Sequence, residues 1–210
     1  MVKRSLIVIL CLCTSLVAAI AFAIENEPLQ EYHARRERLA QRIKGNVLVL
    51  RAAPDEELVK YQQERNFYYL TGFDEPNAIL LLDAASKPPQ EFLFLPERKP
   101  AEERWTGAKL GPGPEAEKAT GFAKVLPTSE FDSTLKHVSE HAKSVYGLKD
   151  VENDIAYLRQ VKSPTEIALL EKAIDITMKG EQAAARTIAP GVMEYEVEAA
   201  LEYEFRRNGA

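Results

Sequence analysis

The residues of this sequence that could do chemistry by type and spacing are a histidine pair, a lone tryptophan among acidic neighbours and a glycine–proline loop. His137 and His141 stand four apart, a spacing that puts two imidazoles on one helical face. They flank Phe131, Leu135 and Val138, which recur at helical spacing, and no glutamate follows His137 as the metalloprotease helix motif requires. The pair therefore reads as helix-edge histidines, and His33 stands alone. Gly111-Pro112-Gly113-Pro114 lacks the Gly-Lys-Ser/Thr ending of a phosphate loop, and its two prolines remove amide donors, so it reads as a turn. No Gly-x-Ser-x-Gly nucleophile motif occurs. Trp105, the only tryptophan, follows Glu102-Glu103 in a polar, Gly-flanked stretch. It is either a loop anchor packed on its own domain or a contact for a substrate or a neighbouring subunit, tryptophan being a frequent interface hot spot.

The elements that must position these groups read as an α/β domain. Helical periodicity runs from Glu31 to Lys44, with Tyr32, Leu39, Ala40 and Ile43 on one face and Arg35, Arg36, Arg38 and Arg42 on the remainder, a solvated basic face. Unbroken apolar runs at Val47–Leu50, Ile79–Leu82 and Phe92–Leu95 predict strands covered on both faces. Weaker strand signals sit at Lys124–Leu126 and Ser144–Tyr146. The aromatic run Phe67–Leu70 reads as a further strand, broken at Thr71-Gly72 and turned through Asp74–Asn77. Lys99–Gly121 reads as an exposed excursion, and Asp150–Asp154 as a short acidic linker. Ser163-Pro164-Thr165-Glu166 is a strong helix start: cap, proline at the first helical position, and capping box. Ile167, Leu170, Ile174 and Met178 stripe that helix. Pro190-Gly191 separates it from another carrying Val197, Leu201 and Phe205, where Met193 takes the cap position without a polar side chain. Two such helices cannot bury both stripes against each other and also form a core, so something else should cover them.

Lys3 and Arg4, an apolar run from Leu6 to Phe22 and the small-x-small site Ala21-Phe22-Ala23 describe a secretory signal over residues 1–23; an uncleaved membrane anchor is the alternative. Cleavage implies export, periplasmic or secreted, and no membrane association of the mature chain. Both cysteines, Cys11 and Cys13, lie in that segment, so the mature chain has no disulfide, catalytic thiol or thiolate metal site. Losing Lys3 and Arg4 takes the formal charge from −5 to −7, which argues against nucleic acid as a partner.

The stretch Asn66–Asp83, with Glu103-Arg104-Trp105-Thr106-Gly107, Leu110-Gly111 and Arg159–Ile167, resembles the N-terminal domain of aminopeptidase P. These are Xaa-Pro aminopeptidases of the pita-bread, creatinase-like metallopeptidase superfamily. The resemblance runs from about Glu31 to Ala210. It implies a mixed β-sheet flanked by helices of the creatinase/prolidase N-terminal type over residues 24–150. Residues 151–210 would then be a linker and the first two helices of an incomplete catalytic pita-bread domain. It further implies release of an N-terminal residue preceding proline, proline-containing peptides as partners, a homo-oligomer, and two divalent metals, commonly manganese. All the metal ligands would align beyond Ala210, so no catalytic residue and no metal ligand is assigned here and the chain alone is expected to be inactive. Two hard cations need converging carboxylates, and the acidic residues here lie on helix faces, in pairs or in the linker. In the resembled family an aromatic from the Trp105 loop reaches an adjacent subunit's active site. The alternatives are a non-enzymatic binding or assembly module, and a prolidase-type dipeptidase.

Overall fold

The structure is a computed structural model that describes residues 27–56 and 60–210. The signal-peptide reading of residues 1–23 lies outside the described residues. The described chain forms two compact units, Glu27–Val161 and Lys162–Ala210.

The first unit is built on a five-stranded mixed sheet of order β4-β3-β2-β1-β5. Its strands are β1 (Val47–Arg51), β2 (Ile79–Asp83), β3 (Gln90–Leu95), β4 (Val125–Pro127) and β5 (Val145–Tyr146). β2 pairs antiparallel with β1 and β3, while the short strands β5 and β4 pair parallel at the edges. Every residue of β2 is buried, as its unbroken apolar run predicts for a central strand. Alternate residues feed opposite faces. Leu48, Leu50, Leu80, Leu82, Leu93 and Leu95 pack against four helices: α1 (Leu29–Arg42), α2 (Arg65–Thr71), α4 (Pro114–Thr120) and α6 (Leu148–Gln160). Val47, Ile79, Leu81, Phe92 and Phe94 pack against Phe131 and Val138 of α5 (Phe131–Ser139). The single turn α3 (Glu103–Thr106) lies in the excursion that precedes α4.

The structure corrects the sequence reading at several places. Phe67–Leu70 is helical, not a strand. Glu64 caps α2, its carboxylate accepting from the amides of Asn66 at 3.1 Å and Phe67 at 2.6 Å. Gly72 ends the helix at φ +65°, and its amide returns to the Tyr68 carbonyl. The basic face of α1 is not solvated throughout: Arg35 is 2% and Arg36 0% exposed. Both cross to the C-terminal end of α2, where Arg35 donates to the Tyr69 carbonyl at 3.1 Å and Arg36 to the Leu70 carbonyl at 2.8 Å. They thus satisfy helix-end carbonyls that a seven-residue helix would otherwise leave open. Asp150–Asp154 is not a linker but part of α6, whose Val151, Ile155 and Leu158 form a buried stripe. Asp150 holds the Gly147 amide at 2.7 Å at that helix's start. Gly113 and Pro114 open α4 instead of forming an isolated turn, with proline at the first helical position.

The second unit is a helix pair, α7 (Pro164–Thr187) and α8 (Glu194–Arg207). The predicted capping box is present: Glu166 N donates to Ser163 Oγ at 3.2 Å and Ser163 N to Glu166 Oε2 at 2.8 Å. Met193 offers α8 no side-chain cap, but Glu196 reaches back to the Met193 amide at 2.9 Å. The helices meet at Gly180, where an added Cβ would stand 2.5 Å from the Phe205 ring. The stripe Ile167, Leu170, Ile174 and Met178 remains about half exposed, so the pairing covers only part of the apolar surface.

Candidate functional site

The excursion from Lys99 to Gly121 holds the one position for which the sequence offers a functional case. Three features set the shape of α3. Arg98 grips Glu103 with two bonds, Nε to Oε1 at 2.8 Å and NH2 to Oε2 at 2.6 Å. Gly107, at φ +82°, lets its amide return to the Glu103 carbonyl at 3.1 Å. Gly111 leaves room for the Arg98 stem, since a Cβ there would stand 2.7 Å from Arg98 Cγ. Beyond α3, the Glu75 carboxylate accepts from the Leu110 amide at 3.1 and 3.2 Å, tying the excursion to the turn before β2.

This frame presents Trp105 91% exposed. The Arg98–Glu103 pair lines a cavity of about 180 Å³, together with Asp55, Glu75, Lys99 and Lys109, among others; Trp105 is not part of its lining. The Arg98 guanidinium holds the Glu103 carboxyl below the usual carboxylate range, chiefly through their hydrogen bond, and Arg98 is raised in turn. Burial pushes the nearby Tyr61 phenol up to about 12, with Asp74, Asp55 and Glu75 adding to the effect. The excursion can thus offer an aromatic surface on a charge-braced turn. It brings together no nucleophile and base. Sequence reasoning singled out Trp105 but missed Arg98 and Glu75. The only signal available was the opposite charge of Arg98 and Glu103 five residues apart; the Glu75–Leu110 contact spans 35 residues and has no local trace.

The remaining candidates stay apart. His137 and His141 are exposed, their ring centroids 6.0 Å apart and edge-on. His33 lies between Glu91 at 3.1 Å and Glu37 at 3.5 Å. Among the described residues no group of three or more His, Cys, Asp or Glu is placed to hold a metal ion. The donor set does not fit a dinuclear centre of hard cations, which needs carboxylates converging from several elements.

Residues 32–146, more than half of the chain, match the family described as aminopeptidase P, N-terminal domain. This chain belongs to that family. An Xaa-Pro aminopeptidase of Haemophilus influenzae is 33% identical over 209 residues, which is 87% of this chain and 49% of that protein. One of Escherichia coli is 30% identical over 220 residues, 86% of this chain and 50% of that protein. A zinc-substituted E. coli aminopeptidase P, solved in complex with product, superposes with a TM-score of 0.77 at 25% identity, covering 89% of this chain and 51% of that one. Proline aminopeptidase P II of Yersinia pestis gives 0.74 at 26%, covering 88% and 51%. The chain spans about half the length of the curated relatives it matches. The mixed sheet flanked by helices is thus the aminopeptidase P N-terminal fold, as the sequence resemblance implies.

Proposed function

We propose that this chain is the N-terminal portion of an exported Xaa-Pro aminopeptidase, shaping the substrate pocket and building the oligomer while the hydrolytic centre lies elsewhere. The observation that carries the reading is the joint match of sequence and fold to the amino-terminal half of such enzymes. The second supporting observation is Trp105, an aromatic held out into solvent by a braced turn instead of being used in the domain's core. Exposed aromatics on a rigid mount lose little side-chain entropy on contact, which suits a wall of a neighbour's pocket. The substrates are peptides with proline second, and the metals, manganese by family, are held by carboxylates and a histidine outside the described residues. Export rests on the basic, apolar and small-residue pattern of residues 1–23.

The test is Trp105→Ala in the longer enzyme carrying this chain. The expected result is weaker turnover of Xaa-Pro peptides, a loosened oligomer, or both. Unchanged kinetics together with an unchanged oligomeric mass would remove the pocket and assembly roles.

A further inference from the structure

Three of the four arginines on α1 have a carboxylate partner: Arg35 with Glu27, Arg36 with Glu91 at 2.8 Å and Arg42 with Asp154 at 2.7 Å. Arg38 has none among the described residues; its Nε donates to the Ala34 carbonyl of its own helix at 3.3 Å. Lys124, just before β4, likewise has no carboxylate partner among the described residues, and its ammonium lies 5.0 Å from the Phe92 ring centroid. These two cations line one cavity of about 540 Å³ together with Pro88, Pro89, Phe92 and Ala123. That volume is in the range of small-molecule sites.

The carboxylates on the same lining are engaged. Glu91, 11% exposed at its side chain, is held by the buried Arg36 and by His33, and Glu37 faces the other nitrogen of His33 at 3.5 Å. With Glu91 neutralised by Arg36, Arg38 and Lys124 outweigh Glu37 by one positive charge, in a chain of formal charge −5. Its walls are set before any ligand arrives: α1 is pinned by the buried Arg36, β3 is paired on both sides, and two consecutive prolines form part of the rim.

We propose that this cavity binds a small organic carboxylate with an apolar body, the carboxylate between Arg38 and Lys124 and the body against Pro88, Pro89 and Phe92. Charge-assisted hydrogen bonds to two cations supply orientation, and the proline and aromatic surfaces supply apolar burial. The site is distinct from the Trp105 turn: of the excursion, only its last residue, Gly121, reaches the lining.

The test is calorimetric titration of the 210-residue chain with N-acetyl-leucine and with N-acetyl-leucinamide. Saturable binding of the acid is expected, with the amide at least about tenfold weaker, as the loss of one charge-assisted hydrogen bond requires. Arg38→Gln and Lys124→Gln, both at exposed positions, should each weaken the acid by about tenfold while the melting temperature of the free chain stays put. The tripeptide Ala-Ala-Leu separates two sources of the carboxylate. If it binds at least as well as the acid, peptide C-termini are the ligand class; if only N-acetyl-leucine binds, free acids are. Equal binding of acid and amide, unchanged binding by both variants, displacement by inorganic phosphate alone, or no saturation up to the solubility limit would each overturn the proposal.

Discussion

Replacing Arg36 by alanine should be among the most damaging single changes in the first unit. Its guanidinium is 0% exposed, donates to Glu91 Oε2 at 2.8 Å and to the Leu70 carbonyl at 2.8 Å, and lies 3.9 Å from the Phe122 ring centroid. Truncation leaves the Leu70 carbonyl and an 11%-exposed carboxylate without their cation. Removing one partner of a buried ion pair costs about 3–5 kcal/mol. Glu91 keeps His33 and a little solvent, so the lower end, ~3 kcal/mol, is expected. With a urea slope of ~2 kcal/mol/M, the unfolding midpoint should fall by ~1.5 M. Arg38→Ala on the same helix is the control: exposed and without a carboxylate partner among the described residues, it should cost no more than ~0.5 kcal/mol. Replacing Arg36 and Glu91 together by apolar residues of similar size should recover most of the loss, because no stranded charge remains. If Arg36→Ala costs under ~1 kcal/mol, or no more than Arg38→Ala, the assignment of the buried pair as the clamp on α2 is wrong.

Further outcomes follow from other contacts. Gly72→Ala should cost more than ~1 kcal/mol in urea unfolding, since φ is +65° and the new Cβ would stand 2.5 Å from the Tyr32 ring; a neutral result would contradict the packing of α1 on α2. Ser163→Ala should lower the stability of the second unit by ~1 kcal/mol through loss of its cap, read by amide exchange in the first turn of α7. The Glu103 carboxyl is depressed by Arg98, so its contribution is present above the ordinary carboxylate range and is lost as pH falls through the lowered folded value. Trp105 fluorescence anisotropy should therefore drop on acidification below that range, and Glu103→Gln should abolish the step; an unchanged profile would show that the ion pair does not brace the turn.

The parts of the fold legible in the sequence were those whose partners are local or whose burial is uniform. Ile79–Leu82 announces a central strand because all four side chains are apolar, and both faces of the sheet do cover it. Ser163 and Glu166 announce their helix because the capping box closes within four residues. The failures came where tertiary contact overrode type. Phe67–Leu70 has strand propensity, yet Glu64 caps it and two arginines from a helix 34 residues earlier close its far end. Arg35 and Arg36 look like solvent-facing charges in helical projection, and only the position of α2 and Glu91 shows why they are inside. Asp150–Asp154 reads as a linker by its acids, although Val151, Ile155 and Leu158 carried the helical period that decided it. At the candidate site, the type of Trp105 drew attention, but its brace was legible only in part, through Arg98 and Glu103.

Under the proposed function this chain is a scaffold, and Xaa-Pro hydrolysis needs converging carboxylates that its described residues do not bring together. The most direct measurement is an assay of the 210-residue chain on an Xaa-Pro peptide with added manganese, beside the longer enzyme carrying the same residues. The expected result is cleavage by the longer enzyme alone. Sustained, manganese-dependent release of the N-terminal residue by the 210-residue chain would contradict it, and would mean that these side chains form a dinuclear centre of their own.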